Sequence, residues 1–306
     1  MILLTGASGF VGKEILKSHR KVKSLYRKDS DHKKAPFSCI ETLDKNTNFG
    51  NAFDGVKTVI HLAGIAHSKG ASVNDYRSVN VEGSLNLAIQ AANAGVVRFV
   101  FVSSIGVNGA YTCGEPFSWK DQPSPHNDYT QSKLDAELGL QRIAEKTGME
   151  LVVVRPTLVY GKNAPGNFGL LTQLVSKVPI LPFRLIDNKR DFIAVQNLAD
   201  LLITCTEHPN AGGKIFLASD GQGVSIRQFT DAIAKGLNKG LLQFPIPKLC
   251  LQLFASLTGR SMMAKQLIQD LEVDSTNTLD DLGWVAPLTM EQAMSLTFGG
   301  KNDSNI

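Results

Sequence analysis

Cysteine is scarce and scattered in this chain of 306 residues: Cys39, Cys113, Cys205 and Cys250 lie far apart, with no Cys-x-x-Cys pair and no histidines at ligand spacing. That argues against a metal site or a disulfide framework and fits reduced thiols in a cytosol. Long apolar runs are missing too. No stretch of about 18 or more apolar residues offers a membrane span. The chain opens on an apolar strand, not on a basic leader with a cleavage site, so a cytoplasmic protein is expected. Charge is low: 20% of residues are charged, the formal net charge is +4, and the pI is near 8.8. Such a balance can attract an anionic small molecule, but the Arg/Lys stripe with interleaved aromatics of a nucleic-acid binder is absent. There is no internal repeat and no low-complexity tract.

What is present is a 43% hydrophobic chain, long enough for one large α/β domain or a core domain with a smaller lobe. Residues 1–4 form a short apolar run that enters Gly6-x-x-Gly9-x-x-Gly12, followed by a helical pattern at Val11, Ile15 and Leu16. A glycine turn between a strand and a helix is the context in which this motif holds a dinucleotide. Gly6 permits the tight turn, Gly9 lets a pyrophosphate approach the backbone, and Gly12 lets helix and strand pack closely. The helix N-terminus then offers free N–H groups and a positive dipole end to the anion.

A second strand at 22–26 ends in Arg27-Lys28. An acid at this point usually binds the NAD ribose, whereas an arginine accommodates the NADP 2′-phosphate, so Arg27 leans towards NADP. A third strand at 56–62 runs into Ala63-Gly64, small residues that leave room for a cofactor. Residues 75–93 read as a helix in which Asn80 is either solvated or buried to fix active-site backbone. The fourth strand, 99–102, ends in Ser103-Ser104, and a long Gly/Pro/polar loop follows from 106 to 127. A helix then runs to about Gly148, and a fifth strand at 151–154 leads to Arg155-Pro156. The pattern predicts a helix between every pair of these strands and hence a parallel sheet covered on both faces.

From Gly161 onward Pro and Gly break the chain into short pieces. A strand is expected at 189–195, a helix at 196–205, a strand at 214–218 and a capped amphipathic helix at 225–237. The apolar stretch 241–257 is expected to cover the core, with self-association or membrane contact as alternatives. The polar tail at 301–306 is expected to be loose.

Tyr129-x-x-x-Lys133 carries the chemistry. Residues four apart share one helix face, so the phenol and the ammonium are expected to meet in one cleft. A neighbouring cation lowers a phenol's pKa and makes it a usable acid and base.

The segments Thr5 to Gly12, His61-Leu62-Ala63-Gly64, Ser103-Ser104, Tyr129-x-x-x-Lys133 and Arg155-Pro156 occur in the order and spacing of extended short-chain dehydrogenases/reductases. The chain resembles the NAD(P)-dependent nucleotide-sugar epimerase/dehydratase family over nearly its whole length. The resemblance implies a Rossmann-type, doubly wound α/β fold with an interleaved C-terminal substrate lobe. It places the dinucleotide domain at 1–160 with a return segment near 187–218, and the substrate lobe at 161–186 and 219–300. Ser104, Tyr129 and Lys133 are implied to be catalytic. Gly6, Ser8, Gly9, Phe10, Val11, Gly12, Arg27, Leu43, Leu62, Ala63, Gly64, Ser103, Pro156 and Thr157 are implied to line the cofactor, NADP or NAD. Asn167 and Arg190 are implied to hold the diphosphate of a nucleotide sugar, and Phe183 to border its base. No metal is implied, and relatives often dimerise through the helices at 75–93 and 129–148.

There are departures. Thr42-Leu43 stands where many relatives carry Asp-Leu against the adenine. Ile105-Gly106 replaces the acidic pair of 4,6-dehydratases, which removes the acid and base that dehydration needs. A 4-ketoreductase, narrowly preferred on Arg27, and a 4-epimerase remain as enzymatic readings. A cofactor-sensing regulator on the same fold is the lesser alternative.

Overall fold

The computed structural model describes residues 1–18, 21–30, 34–66, 70–257 and 267–299; the tail expected to be loose lies outside them. Seven parallel strands form one sheet. They are β1 (Ile2–Thr5), β2 (Val22–Arg27), β3 (Phe37–Ile40), β4 (Thr58–His61), β5 (Arg98–Val102), β6 (Glu150–Pro156) and, later in the chain, Ile215–Ala218. That last strand lies beside β6, and the sheet continues through β5, β4, β1 and β2 to β3 at the far edge. The chain winds away from β1 in both directions. The crevice at the carboxyl ends of β1 and β4 is therefore the switch point at which such sheets bind ligands.

Strand residues alternate between two cores. Ile2, Leu4, Ile60, Val100, Val152 and Val154 face one side, where Ile15 of α1 (Phe10–Ser18) packs. Leu3, Val59, Phe99, Phe101 and Val153 face the other. Burial on both faces is why these strands read as continuous apolar runs.

The helix expected between the second and third strands is replaced by edge strand β3 and a single 3₁₀ turn at Gly50–Phe53. Phe49, Ala52 and Phe53 are buried, but their spacing supplies only one helical turn of apolar face. The helix expected at 75–93 is continuous but changes gauge. It comprises α2 (Val73–Tyr76), a π-helical stretch Arg77–Gly83, and α3 (Ser84–Asn93). Ser72 and Asp75 cap its start reciprocally. Next comes α4 (Asp128–Thr147), capped by Asn127 with Thr130 and closed by Gly148 at φ +76°. Leu87, Ala88 and Ala91 of α3 and Ala136 and Leu140 of α4 seal the second face of the sheet.

Beyond β6, β7 (Leu158–Tyr160), α5 (Asn167–Lys177), β8 (Ile180–Leu181) and β9 (Phe192–Ala194) build a third core around Tyr160, Phe168, Phe183 and Phe192. The strand expected at 189–195 shrinks to β9, and Arg190 makes isolated bridges to Val224 and Leu271 instead. α6 (Val195–Glu207) returns to the first core, and the Ile215–Ala218 strand, β10, completes the main sheet. Ser225 and Gln228 cap α7 (Ile226–Gly236), whose Phe229 stacks on Phe192 at 3.8 Å between ring centres. β11 (Leu242–Gln243) pairs with β8 and precedes α8 (Lys248–Leu257). The expectation that 241–257 covers the core holds for Leu241 and Leu251, which pack on the third core, and is corrected for Leu242, Phe244, Leu249, Leu253 and Leu257, which are exposed. Two short helices, α9 (Thr276–Leu282) and α10 (Met290–Phe298), end the described chain.

Candidate active site

The glycine loop sits at the carboxyl end of β1. Gly6 adopts φ +71°, and a Cβ there would lie 2.9 Å from the Ala63 nitrogen. A Cβ on Gly12 would fall 2.3 Å from the Gly6 carbonyl oxygen, so any larger residue would push α1 off the loop. Ser8 and Gly9 are exposed at the tip, and the first-turn amides of Phe10 and Val11 have no carbonyl four residues back within their helix. The Phe10 ring also packs on the third core, which ties the loop to the smaller lobe.

Beneath the loop, Thr5 and His61 stand side by side in the β1–β4 register. The Thr5 hydroxyl is 2.6 Å from His61 Nδ1, His61 Nε2 is 2.8 Å from Ser84 Oγ, and Ser84 donates to the Asn80 carbonyl at 2.7 Å. These partners fix the proton on Nε2. Burial, with Lys133 nearby, pushes His61 down to about 3, so the ring is neutral. Thr5 Oγ1 accepts the Ala63 N–H at 3.1 Å, and Asn80 brackets Ile65 by accepting its N–H at 2.7 Å and donating to its carbonyl at 3.0 Å. Asn80 is thus the buried residue that fixes cleft backbone, the sharper of the two readings made from sequence. Gly64 is small for a structural reason as well: a Cβ there would meet Asn80 Oδ1 at 2.8 Å. Leu62 and Ala63 are half-buried beside it.

Ser104 leaves β5 in extended conformation and caps a 3₁₀ turn, accepting the Gly106 N–H at 3.1 Å. Its hydroxyl stands beside the Tyr129 phenol, where it favours the phenolate. Tyr129 sits in the first turn of α4, its ring 6.3 Å from that of Tyr76. Burial pushes the phenol up to about 12, and the Ser104 hydrogen bond works against that rise. The expected lowering of the phenol by the ammonium is corrected. Lys133 Nζ donates to the Val102 carbonyl at 2.9 Å and lies 4.6 Å from the centre of the Phe101 ring. Buried there, Lys133 falls to about 8, with Glu137 opposing the fall.

Glu137 escaped the sequence reading. It continues the Tyr129, Lys133 stripe by one more turn of α4 and takes a bidentate grip from Arg155, at 3.0 Å from Nε and 2.5 Å from Nη2. Ser103 donates to the same carboxylate, and Arg155 Nη1 donates to Asn108 Oδ1 at 2.9 Å. The ion pair is buried, with 3% and 6% of its side chains exposed, and its hydrogen bonds make that burial tolerable. Ser103 therefore faces Glu137 with its hydroxyl. The repeated four-residue spacing was the available signal.

The remaining candidates are dispersed. Arg27 ends β2, exposed, 3.6 Å from Asp29. Leu43 is buried in the second core against Gly83, because a side chain of this kind finds a better contact there than at a cleft wall. Pro156 ends β6, and the Thr157 hydroxyl donates to the Ala218 carbonyl at 3.1 Å. Asn167 is exposed at the start of α5. Arg190 Nη1 donates to the Gln269 carbonyl at 2.9 Å, and burial lowers its pKa to about 10. Phe183 is 7% exposed in the third core, which leaves almost no ring surface for a base. A side chain on residue 106 would meet Thr130 Cγ2 at 2.5 Å from its Cβ, so there is no room for a dehydratase's acid at that position. Among the described residues no cluster could hold a metal ion.

The loop without side chains, the free first-turn amides and the open carboxyl ends of β1 and β4 fit a dinucleotide diphosphate. Comparison with known proteins agrees. The chain is 39% identical to a UDP-glucose 4-epimerase of Vibrio cholerae, over 97% of this chain and 94% of that one. It is 26% identical, over 97% and 93%, to the N-acetyl-alpha-D-glucosaminyl-diphospho-ditrans,octacis-undecaprenol 4-epimerase of Escherichia coli O157:H7. Its fold matches a solved UDP-glucose 4-epimerase of Thermotoga maritima with a TM-score of 0.73 at 20% identity, covering 97% of each chain. The model of the NAD dependent epimerase/dehydratase family matches residues 2–218. With its glycine loop, Ser104–Tyr129 pair and parallel sheet accounted for, the chain belongs to that family and is an extended short-chain dehydrogenase/reductase that uses NAD or NADP.

Proposed function

We propose that the chain interconverts the C4 epimers of a hexose carried on a nucleotide diphosphate, with a uridine nucleotide as the first choice. The observation that carries this is the placing of Ser104, at the carboxyl end of β5, beside Tyr129 in the first turn of α4. Bound, the nicotinamide dinucleotide supplies the acceptor and donor of the C4 hydride. The residues manage the oxygen. Tyr129 removes the O4 hydroxyl proton and later returns it, with Ser104 beside it. Because Ser104 stabilises the phenolate by donation, it makes Tyr129 a stronger acid in the catalytic cycle. Lys133, held under Gly64, is assigned to the ribose hydroxyls beside the nicotinamide. Arg190 and Asn167 are assigned to the sugar's diphosphate. The smaller lobe at 161–186 and 219–300 is assigned to the substrate. A second copy is proposed to pack on α3 and α4, whose Ile89 and Leu138 are exposed.

Both named relatives are 4-epimerases, which supports epimerisation over the reductase favoured from Arg27 alone. The reductase stays as a second reading because the end of β2 is basic and open. One experiment separates them. Purified protein is given a UDP-hexose without added reductant, and its retained dinucleotide is identified by mass. Equilibration of the two C4 epimers with retained NAD supports the epimerase. No interconversion, with NADPH consumed on a 4-keto sugar, refutes it in favour of the reductase.

A further inference from the structure

We propose that α8 and the adjoining β8–β11 pair form a surface that docks on an anionic lipid bilayer. The helix is apolar on opposite faces. Leu251 packs inward on the third core. Leu249, Leu253 and Leu257, spaced as i, i+4 and i+8, point outward with exposures of 65%, 58% and 87%. In the preceding strand Leu242 lies opposite Ile180 in the β8–β11 register, and both are exposed, as is Phe244 two residues on. Soluble monomers seldom leave an apolar patch of this kind in water.

Charge selects the occupant. Between Asp231 and the end of α8 the described chain holds Lys235, Lys239 and Lys248 and not one acid. Lys235 is paired with Glu291, which leaves Lys239 before β11 and Lys248 at the start of α8 as the cations of this surface. A second copy meeting this face about a twofold axis would oppose like charge to like. An anionic headgroup layer complements both the basic charge and the apolar side chains. With ten residues, α8 is too short to span a bilayer and suits the plane of its interface.

The test uses the full chain, sedimented with vesicles of phosphatidylglycerol and phosphatidylcholine in equal parts, or of phosphatidylcholine alone. Wild type is expected to sediment with the mixed vesicles, less with the neutral ones, and less again as salt rises. The Leu253→Asp/Leu257→Asp variant is expected to lose vesicle binding by about tenfold or more while keeping its turnover of soluble nucleotide sugar, which reports an intact fold. Absence of sedimentation with either vesicle overturns the proposal. So does binding that ignores lipid charge and salt. A fall in solution mass from two copies to one in the variant, without vesicle binding by wild type, assigns the face to a second copy and also overturns it.

Discussion

Two helices in this protein use the same spacing for opposite ends. On α4, Tyr129, Lys133 and Glu137 sit at i, i+4 and i+8, and the stripe of ionisable groups faces inward. On α8, Leu249, Leu253 and Leu257 sit at the same intervals, and the stripe of leucines faces outward. Periodicity marks a stripe without saying which way it turns. The direction is settled by what the surroundings can satisfy. In the α4 stripe each group has a neighbour that suits it: Ser104 for the phenol, Val102 for the ammonium, Arg155 and Ser103 for the carboxylate. Around α8 the third core accepts Leu251, and the outer leucines remain in contact with solvent.

The sharpest way to break the comparison is at the head of the inward stripe. Tyr129→Phe keeps the ring and removes the proton carrier, so turnover should fall by about a thousandfold while dinucleotide binding persists. Steady-state kinetics beside a titration of NAD checks both halves; equal loss of binding and turnover would remove Tyr129 from its role. The next largest effect is at the foot of the stripe. Glu137→Gln leaves Arg155 buried without its countercharge, and stability should drop by roughly 3 kcal/mol, read from the urea midpoint. A change of a few tenths would mean that the pair is no more than a hydrogen-bonded spacer. The smallest effect belongs to the outward stripe. Leu253→Asp should move the same midpoint by about 0.5 kcal/mol or less, as expected of an exposed position. A larger loss would place that leucine in the core after all.

The site was legible where short-range rules operate. The glycine loop, the Ser104 strand end and the capped start of α4 depend on residues within a few positions of one another, and each stands where the sequence put it. Asn80 was legible as an alternative, and its partners Ile65 and Ser132 decided it. What escaped depends on contacts distant in sequence. Lys133 shares a helix face with Tyr129, yet its long side chain takes a carbonyl from β5 rather than the phenol. Glu137 needs Arg155 from β6 and Ser103 from the end of β5 before it makes sense as a buried acid. Phe183 and Leu43 are apolar residues that pack into the third and second cores. Edge strand β3 replaced a helix because one turn of apolar spacing cannot anchor one.

The wide π-helical stretch Arg77–Gly83 has a consequence for how the cleft wall is assembled. By adding a residue to one turn it offsets the rotational phase of the helix after it by about 100° relative to the helix before it. Asn80 can therefore address Ile65 and Ser132 while Leu87, Ala88 and Ala91, about two to three turns later, lie flush on the sheet. The stretch works as a gear between two clocks: one set by the backbone that borders the cofactor crevice, the other by the pleat of the strands below.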